Sequence, residues 1–247
     1  MNKMILFISI SLNILFLCLT FIFIYKKGGI SYLTKKILNT FNNKQDVFNI
    51  YNPPGYIHKK SQYELLPKLS NAIIFLGDSI TDEGEWSELL GNSNITFNVL
   101  NRGISGDTTD RILYRIDTII ATQPKQIFLM VGINDLAMIN KSVEEVIDKY
   151  KQILLKFKNA IPETQVFIQS VLPVNQNIYL YLEDNQKIVN LNSKLKGLSA
   201  EFNYRYIDIY SCLIDGEKQL DAKYTADGLH LNGKAYLLWA EIIKPYL

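Results

Sequence analysis

The chain has 247 residues, of which 48% are hydrophobic and 20% charged, with a formal net charge of +2. That balance is globular and excludes an intrinsically disordered chain. Its two cysteines, Cys18 and Cys212, give no disulfide framework, and with only two histidines beside them a Cys/His zinc site is disfavoured.

Met4 to Tyr25 carries no charge and is dense in Ile, Leu and Phe. About twenty such residues span a bilayer as a helix. A cleaved signal peptide would have a shorter apolar core and a small-residue cleavage site, and none follows. Leu15-Phe16-Leu17-Cys18 is a poor lipoprotein box, because bulky Leu17 precedes the cysteine. Residues 1–25 are therefore expected to be a single, uncleaved transmembrane anchor. Lys26, Lys27, Lys35, Lys36 and Lys44 follow it, which favours a cytoplasmic flank, whereas a short N-terminus commonly stays inside. The side is left open.

Residues 26–60 are expected to form a basic connector, and a single folded domain is expected over 61–247. Residues 26–70 hold eight lysines against Asp46 and Glu64, a net of +6, which leaves −5 for residues 71–247 once Lys3 is counted. The basic stretch suits anionic headgroups near an anchor, and equally a solvated linker. Asn52-Pro53-Pro54-Gly55 is a strong break, with a short helix expected beyond it over Lys59–Leu69.

From residue 71 strands and helices alternate. The strands are expected at Ile73–Leu76, Ile95–Leu100, Gln126–Val131, Gln165–Leu172 and Arg205–Ile209. The helices are expected at Thr108–Thr122, Ser142–Asn159, Glu183–Phe202 and Gly233–Tyr246. Ser142 and Glu145 have capping-box spacing, and Val146, Ile147, Tyr150, Ile153, Leu154 and Phe157 form a buried stripe. This alternation predicts an α/β fold: a three-layer α/β/α sandwich with a five-stranded parallel sheet, flavodoxin-like, preceded by the N-terminal transmembrane helix.

Polar clusters fall at the carboxyl ends of the strands, where open α/β sheets build their sites. Gly77-Asp78-Ser79 follows the first strand and reads either as a presented serine or as a helix cap. Asn101-Arg102-Gly103-Ile104-Ser105-Gly106-Asp107 reads as a ligand-approaching or simply a tight turn. Gly132-Ile133-Asn134-Asp135 offers Asn134 as a donor or a turn residue. Asp227 and His230 are three apart, close enough for a carboxylate to orient an imidazole; alone, such a pair more often means a surface histidine.

Together the four blocks resemble the SGNH hydrolases, the GDSL esterase and lipase family. Gly77-Asp78-Ser79-Ile80 is similar to the first block, with Ile80 where the family usually has Leu. Gly103 falls in the second block, Gly132-Ile133-Asn134-Asp135 in the third and Asp227-Gly228-Leu229-His230 in the last. The fit covers about residues 60 to 247. The strings Phe75–Asp82 and Asn101–Thr109 look most like the subgroup similar to platelet-activating-factor acetylhydrolase.

The resemblance implies a serine esterase in which Ser79 attacks the ester carbonyl. His230 would be its base, since His58 lies in the connector, and Asp227 would hold the ring. The N–H groups of Ser79 and Gly103 and the side chain of Asn134 would form the oxyanion hole. No cofactor and no metal is implied. There is no G-x-S-x-G elbow, which disfavours an α/β-hydrolase origin. The expected substrate is a small acyl ester, an acylated carbohydrate or lipid, with short acetyl-type chains; no nucleic-acid partner is expected. Tyr179 and Tyr181 are candidates for the site rim or for ordinary packing. A lysophospholipase, an acyltransferase and a catalytically silent membrane-tethered binding module are the alternatives.

Overall fold

Five parallel strands build the core, in the order β2-β1-β3-β4-β5. They are β1 (Ile73–Gly77), β2 (Val99–Gly103), β3 (Gln126–Met130), β4 (Gln165–Gln169) and β5 (Arg205–Ile207). The computed structural model describes residues 53–91, 98–178 and 184–247, together with Asn13, Phe16, Tyr25 and Lys26. Among the described residues no helix is long and apolar enough to cross a membrane. The expected span Met4–Tyr25 and connector residues 27–52 lie outside them apart from Asn13, Phe16 and Tyr25, as do Tyr179 and Tyr181.

The chain divides into Met1–Pro54 and Gly55–Leu247. In the second unit α1 (Pro54–Leu65) comes first, then the one-turn helices α2 (Ser79–Asp82) and α3 (Trp86–Leu89) after β1. Next come α4 (Thr109–Ile120), α5 (Ile133–Ala137), α6 (Val143–Ala160), α7 (Asn185–Phe202), α8 (Tyr210–Leu213) and α9 (Gly233–Ile243). Helices cover both faces of the sheet, with α6 packed between α4 and α7 and α9 packed on α3.

Both faces being covered explains why β1 and β3 are apolar at nearly every position. Register places Phe75 beside Phe128 and Phe128 beside Phe167, so three rings lie on one face. They stack at 5.0 and 4.6 Å between centroids, and Trp86 continues the row 4.1 Å from Phe75. Trp239 of α9 meets Trp86 edge-on at 4.8 Å. Each such pair contributes about 0.5–1.5 kcal/mol beyond its buried area. The capping box at Ser142 forms as its spacing predicts, with both reciprocal hydrogen bonds present.

Three expected strands end two or three residues from where they are observed to end. The second strand runs over Val99–Gly103, past the expected end at Leu100, because β2 is an edge strand whose half-exposed positions accept Asn101 and Arg102; residues 95–97 of the expected strand lie outside the described residues. The fourth strand stops at Gln169, although Val171, Leu172 and Val174 are buried. There the backbone leaves the ladder and is satisfied by side-chain amides: Asn192 bonds the N–H and C=O of Val171, and Asn185 those of Val174. Similarly, Ser170 Oγ accepts the N–H groups of Ile209 and Tyr210, which ends β5 at Ile207.

The first helix also begins earlier than Lys59. Proline is compatible with the first helical position, so Pro54 opens α1, and Pro67 disfavours helix at Leu66. Tyr56 is 2% exposed and donates to Arg111 O; Tyr63 is buried and donates to Gly103 O at 2.9 Å. The packed domain thus includes residues ahead of the expected boundary at 61. A chain beginning at Ser61 lacks the buried Tyr56 and should unfold about 1.5–3 kcal/mol more easily than one beginning at Pro53. Equal urea midpoints for the two chains would show that the first turns of α1 add nothing.

Candidate active site

In a sheet of order 2-1-3-4-5 the connections leave β1 and β3 in opposite directions, which opens a crevice between their carboxyl ends. Ser79 follows β1 and Asn134 follows β3. Gly77 makes the turn possible: a Cβ there would lie 2.2 Å from both Met130 O and Thr81 Oγ1. Asp78 is the N-cap of α2, its Oδ1 accepting the Ile80 N–H at 3.1 Å, and Ser79 is the first helical residue. The capping and the serine-presenting readings of this turn are therefore both satisfied. Burial pushes the Asp78 carboxyl up to about 7; the Ile80 N–H opposes this and nearby Asp107 adds to it.

The loop before α9 supplies the partner. Ser79 Oγ lies 3.0 Å from His230 Nε2, and His230 Nδ1 lies 2.7 Å from Asp227 Oδ2. Asp227 divides its oxygens between two tasks. Oδ1 accepts the N–H groups of Leu229 and His230 at 2.9 and 2.8 Å, closing the turn, while Oδ2 holds the ring. Gly228, at φ +87°, lets the chain reverse inside that turn. Partial burial raises the Asp227 carboxyl, but the His230 ring and the two N–H groups outweigh it and set it at about 2. Ionised Asp227 keeps the proton on Nδ1 and leaves Nε2 to accept from the serine hydroxyl.

These groups open onto a cavity of about 490 Å³, within the range for small ligands. Ser79, Ser105, Gly106, Asn134, His230 and Glu83 give it a polar side; Ile133, Ala137, Met138 and Leu229 give it an apolar one. A groove of about 700 Å³ beside β5 is larger but holds no serine–histidine pair. Among the described residues no group of three or more His, Cys, Asp or Glu side chains is placed to hold a metal ion.

Of the expected donors, Gly103 is not brought to the cavity. It ends β2, its N–H donates to Asn101 Oδ1 at 2.9 Å, and a Cβ on it would meet Asp82 N at 2.2 Å. Its glycine is required by close packing under α2. Gly106 lines the cavity instead, at φ +77°, and its N–H has no acceptor among the described residues. Both glycines sit in one block, and only the register of β2 distinguishes them. Asn134 donates one amide N–H to Asp107 O at 2.9 Å, which orients the amide and leaves the other for the cavity it lines. Glu83, also unanticipated, comes one helical turn after Ser79.

Fold and cavity define an ester hydrolase of the three-layer α/β/α class. The profile of the GDSL-like Lipase/Acylhydrolase family matches residues 75–238, and the chain belongs to that family, the SGNH hydrolases. It is accordingly a carboxylic ester hydrolase. It is 27% identical over 176 residues to platelet-activating factor acetylhydrolase IB subunit alpha2 of Rattus norvegicus, covering 70% of this chain and 73% of the relative. It is also similar, at 27% identity and a TM-score of 0.72, to a Streptococcus protein provisionally described as a platelet activating factor, over 83% of this chain and 98% of that one. A GDSL-like lipase of Bacteroides thetaiotaomicron shares the fold at 24% identity and a TM-score of 0.65, over 77% and 96% of the two chains.

The Asp227 carboxyl should titrate near 2 in carbon-detected NMR, and His230→Ala should move its midpoint upward. Because its folded value lies below the ordinary carboxylate value of about 3.9, its contribution to stability is present above that pH and is lost as the pH falls toward 2. A midpoint unchanged by His230→Ala would mean that the ring does not hold the charge.

Proposed function

We propose that the chain is a membrane-anchored serine esterase for short acyl esters. The observation that carries this reading is the chain of contacts Asp227–His230–Ser79, 2.7 and 3.0 Å long, at the edge of the cavity. Ser79 Oγ bonds to the ester carbonyl carbon as its proton passes to His230 Nε2, and Asp227 stabilises the imidazolium that forms. The N–H groups of Ser79 and Gly106 and the free amide N–H of Asn134 receive the oxyanion. His230 then returns the proton to the leaving alcohol as the C–O bond breaks. Water repeats the sequence on the acyl-enzyme and releases the acid.

The short-acyl reading is supported by the space available and by the acetyl group in the rat relative's name. The apolar lining comes from four side chains, Ile133, Ala137, Met138 and Leu229, and it lies open to solvent, with Met138 at its rim 65% exposed. A deep groove would add about 0.8 kcal/mol for each methylene it buries; a shallow one does not gather that energy. The anchor reading rests on the uncharged run Met4–Tyr25.

In correctly folded protein, Ser79→Ala and His230→Ala should each reduce turnover by about 10⁴-fold or more. Asn134→Ala should reduce it by about 10²- to 10³-fold, as expected for one oxyanion donor. Unchanged turnover in Ser79→Ala would end the serine-hydrolase reading.

Across acetyl, butyryl, octanoyl and palmitoyl esters of one leaving group, kcat/KM should fall with chain length. A steady rise toward octanoyl would favour a lysophospholipase instead. The full chain should fractionate with membranes. Recovery of the intact chain, N-terminus included, in the soluble fraction would refute the anchor; trimming after about residue 20 would indicate a signal peptide.

A further inference from the structure

Glu83 stands beside the Ser79–His230 pair, at the edge of the cavity they line. It is four residues after Ser79, and its backbone N–H donates to Ser79 O at 2.9 Å, so the two side chains share one face of the turn. Its Oε1 lies 4.0 Å from His230 Nε2, the atom that hands a proton to the departing oxygen. Glu83 lines the Ser79 cavity and also an adjoining cavity of about 350 Å³ that contains Glu85, Leu89 and Tyr236. Among the described residues no lysine or arginine lines either cavity. The nearby cations are committed elsewhere: Lys59 pairs with Asp82 at 2.9 Å, and Arg111 donates to Gly106 O while stacking on the Tyr56 ring. A substrate with a phosphate or carboxylate beside its ester oxygen would meet the Glu83 carboxylate, with no lysine or arginine in the lining to offset it.

We propose that Glu83 is a specificity-determining residue that selects esters of neutral or cationic alcohols and rejects those whose leaving group carries a negative charge close to the ester. This rests on the reading of Ser79 as nucleophile. At the separations involved, one partly screened charge changes the rate by about 5- to 10-fold in each direction.

The test uses three aryl acetates: one neutral, one bearing a carboxylate and one bearing a trimethylammonium group. Each kcat/KM is divided by the rate of hydroxide-catalysed hydrolysis of the same ester, which removes intrinsic reactivity. The unaltered enzyme should rank them cationic, neutral, anionic. Glu83→Gln should compress the cationic-to-anionic ratio at least fivefold and Glu83→Lys should invert it; circular dichroism checks that both fold, which the half-exposed position permits. High salt should compress the ratio in the unaltered enzyme as well. A ratio unchanged in both variants, or an unaltered enzyme that favours the anionic ester, overturns the role of Glu83 and leaves the esterase reading standing. Failure of the unaltered enzyme to hydrolyse any of the three esters overturns the esterase reading and this proposal with it.

Discussion

One buried guanidinium ties the site together. Arg115, on the inner face of α4, has no exposed side-chain surface and pairs with equally buried Asp107 at 2.7 Å. Its Nη2 also donates to Arg102 O in β2 at 2.7 Å and to Gly77 O, the last residue of β1, at 3.3 Å. Asp107 extends the linkage, because its carbonyl accepts the Asn134 amide after β3. Thus one side chain reaches the carboxyl ends of β1 and β2 directly and that of β3 through Asp107. Ser79 comes two residues after Gly77, and Gly106 immediately precedes Asp107, so every donor proposed for the oxyanion is bonded to this network or next to it. Burying such a pair usually adds little net stability, and breaking one partner is costly. What it provides here is placement, since preorganised donors act only if they are held where charge will develop.

A second clasp acts beside the first. Asp135, fully buried, accepts the N–H and hydroxyl of Thr109 at 2.8 and 2.6 Å, and Lys141 Nζ at 2.8 Å. The Thr109 N–H belongs to the first turn of α4 and would otherwise lack a partner. This carboxylate satisfies it and fastens α5 to the start of α4. Since α5 begins with Ile133 and Asn134, the Asn134 amide and part of the apolar lining of the cavity are positioned by the same contact.

The sequence made the inner strands and the long helices legible for one physical reason. Elements buried on both faces, or along a regular stripe, repeat a simple apolar pattern, as in Ile73–Leu76 and Val146–Phe157. The pattern fails where side chains substitute for backbone partners. Val171 and Leu172 read as strand because they are apolar, but Asn192 satisfies the Val171 backbone, and Asn185 that of Val174 just beyond, from a helix that comes later in the chain. No local window contains that information. Gly103 and Gly106 show the same limit within the site. Both are glycines for steric reasons, one from packing under Asp82 and the other from a positive φ, and a string of letters does not say which faces the substrate.

Asp78 and Asp227 show how the fold separates two carboxylates beside one serine–histidine pair. Asp78 is fully enclosed and accepts a single N–H, so desolvation dominates and its carboxyl rises to about 7. Asp227 is half-exposed and receives three N–H groups, including the imidazole's, so its carboxyl falls to about 2. The linkage signs are opposite. Burying Asp78 is increasingly unfavourable as the pH rises from its ordinary value through about 7, whereas Asp227 contributes to stability throughout that interval. The carboxylate bonded to His230 Nδ1 is therefore kept charged, while burial raises the carboxyl next to Ser79 in the chain. On the proposed reading of Ser79 as nucleophile, burial that disfavours a full charge on Asp78 works with the proposed N–H donors to favour charge on the substrate oxygen.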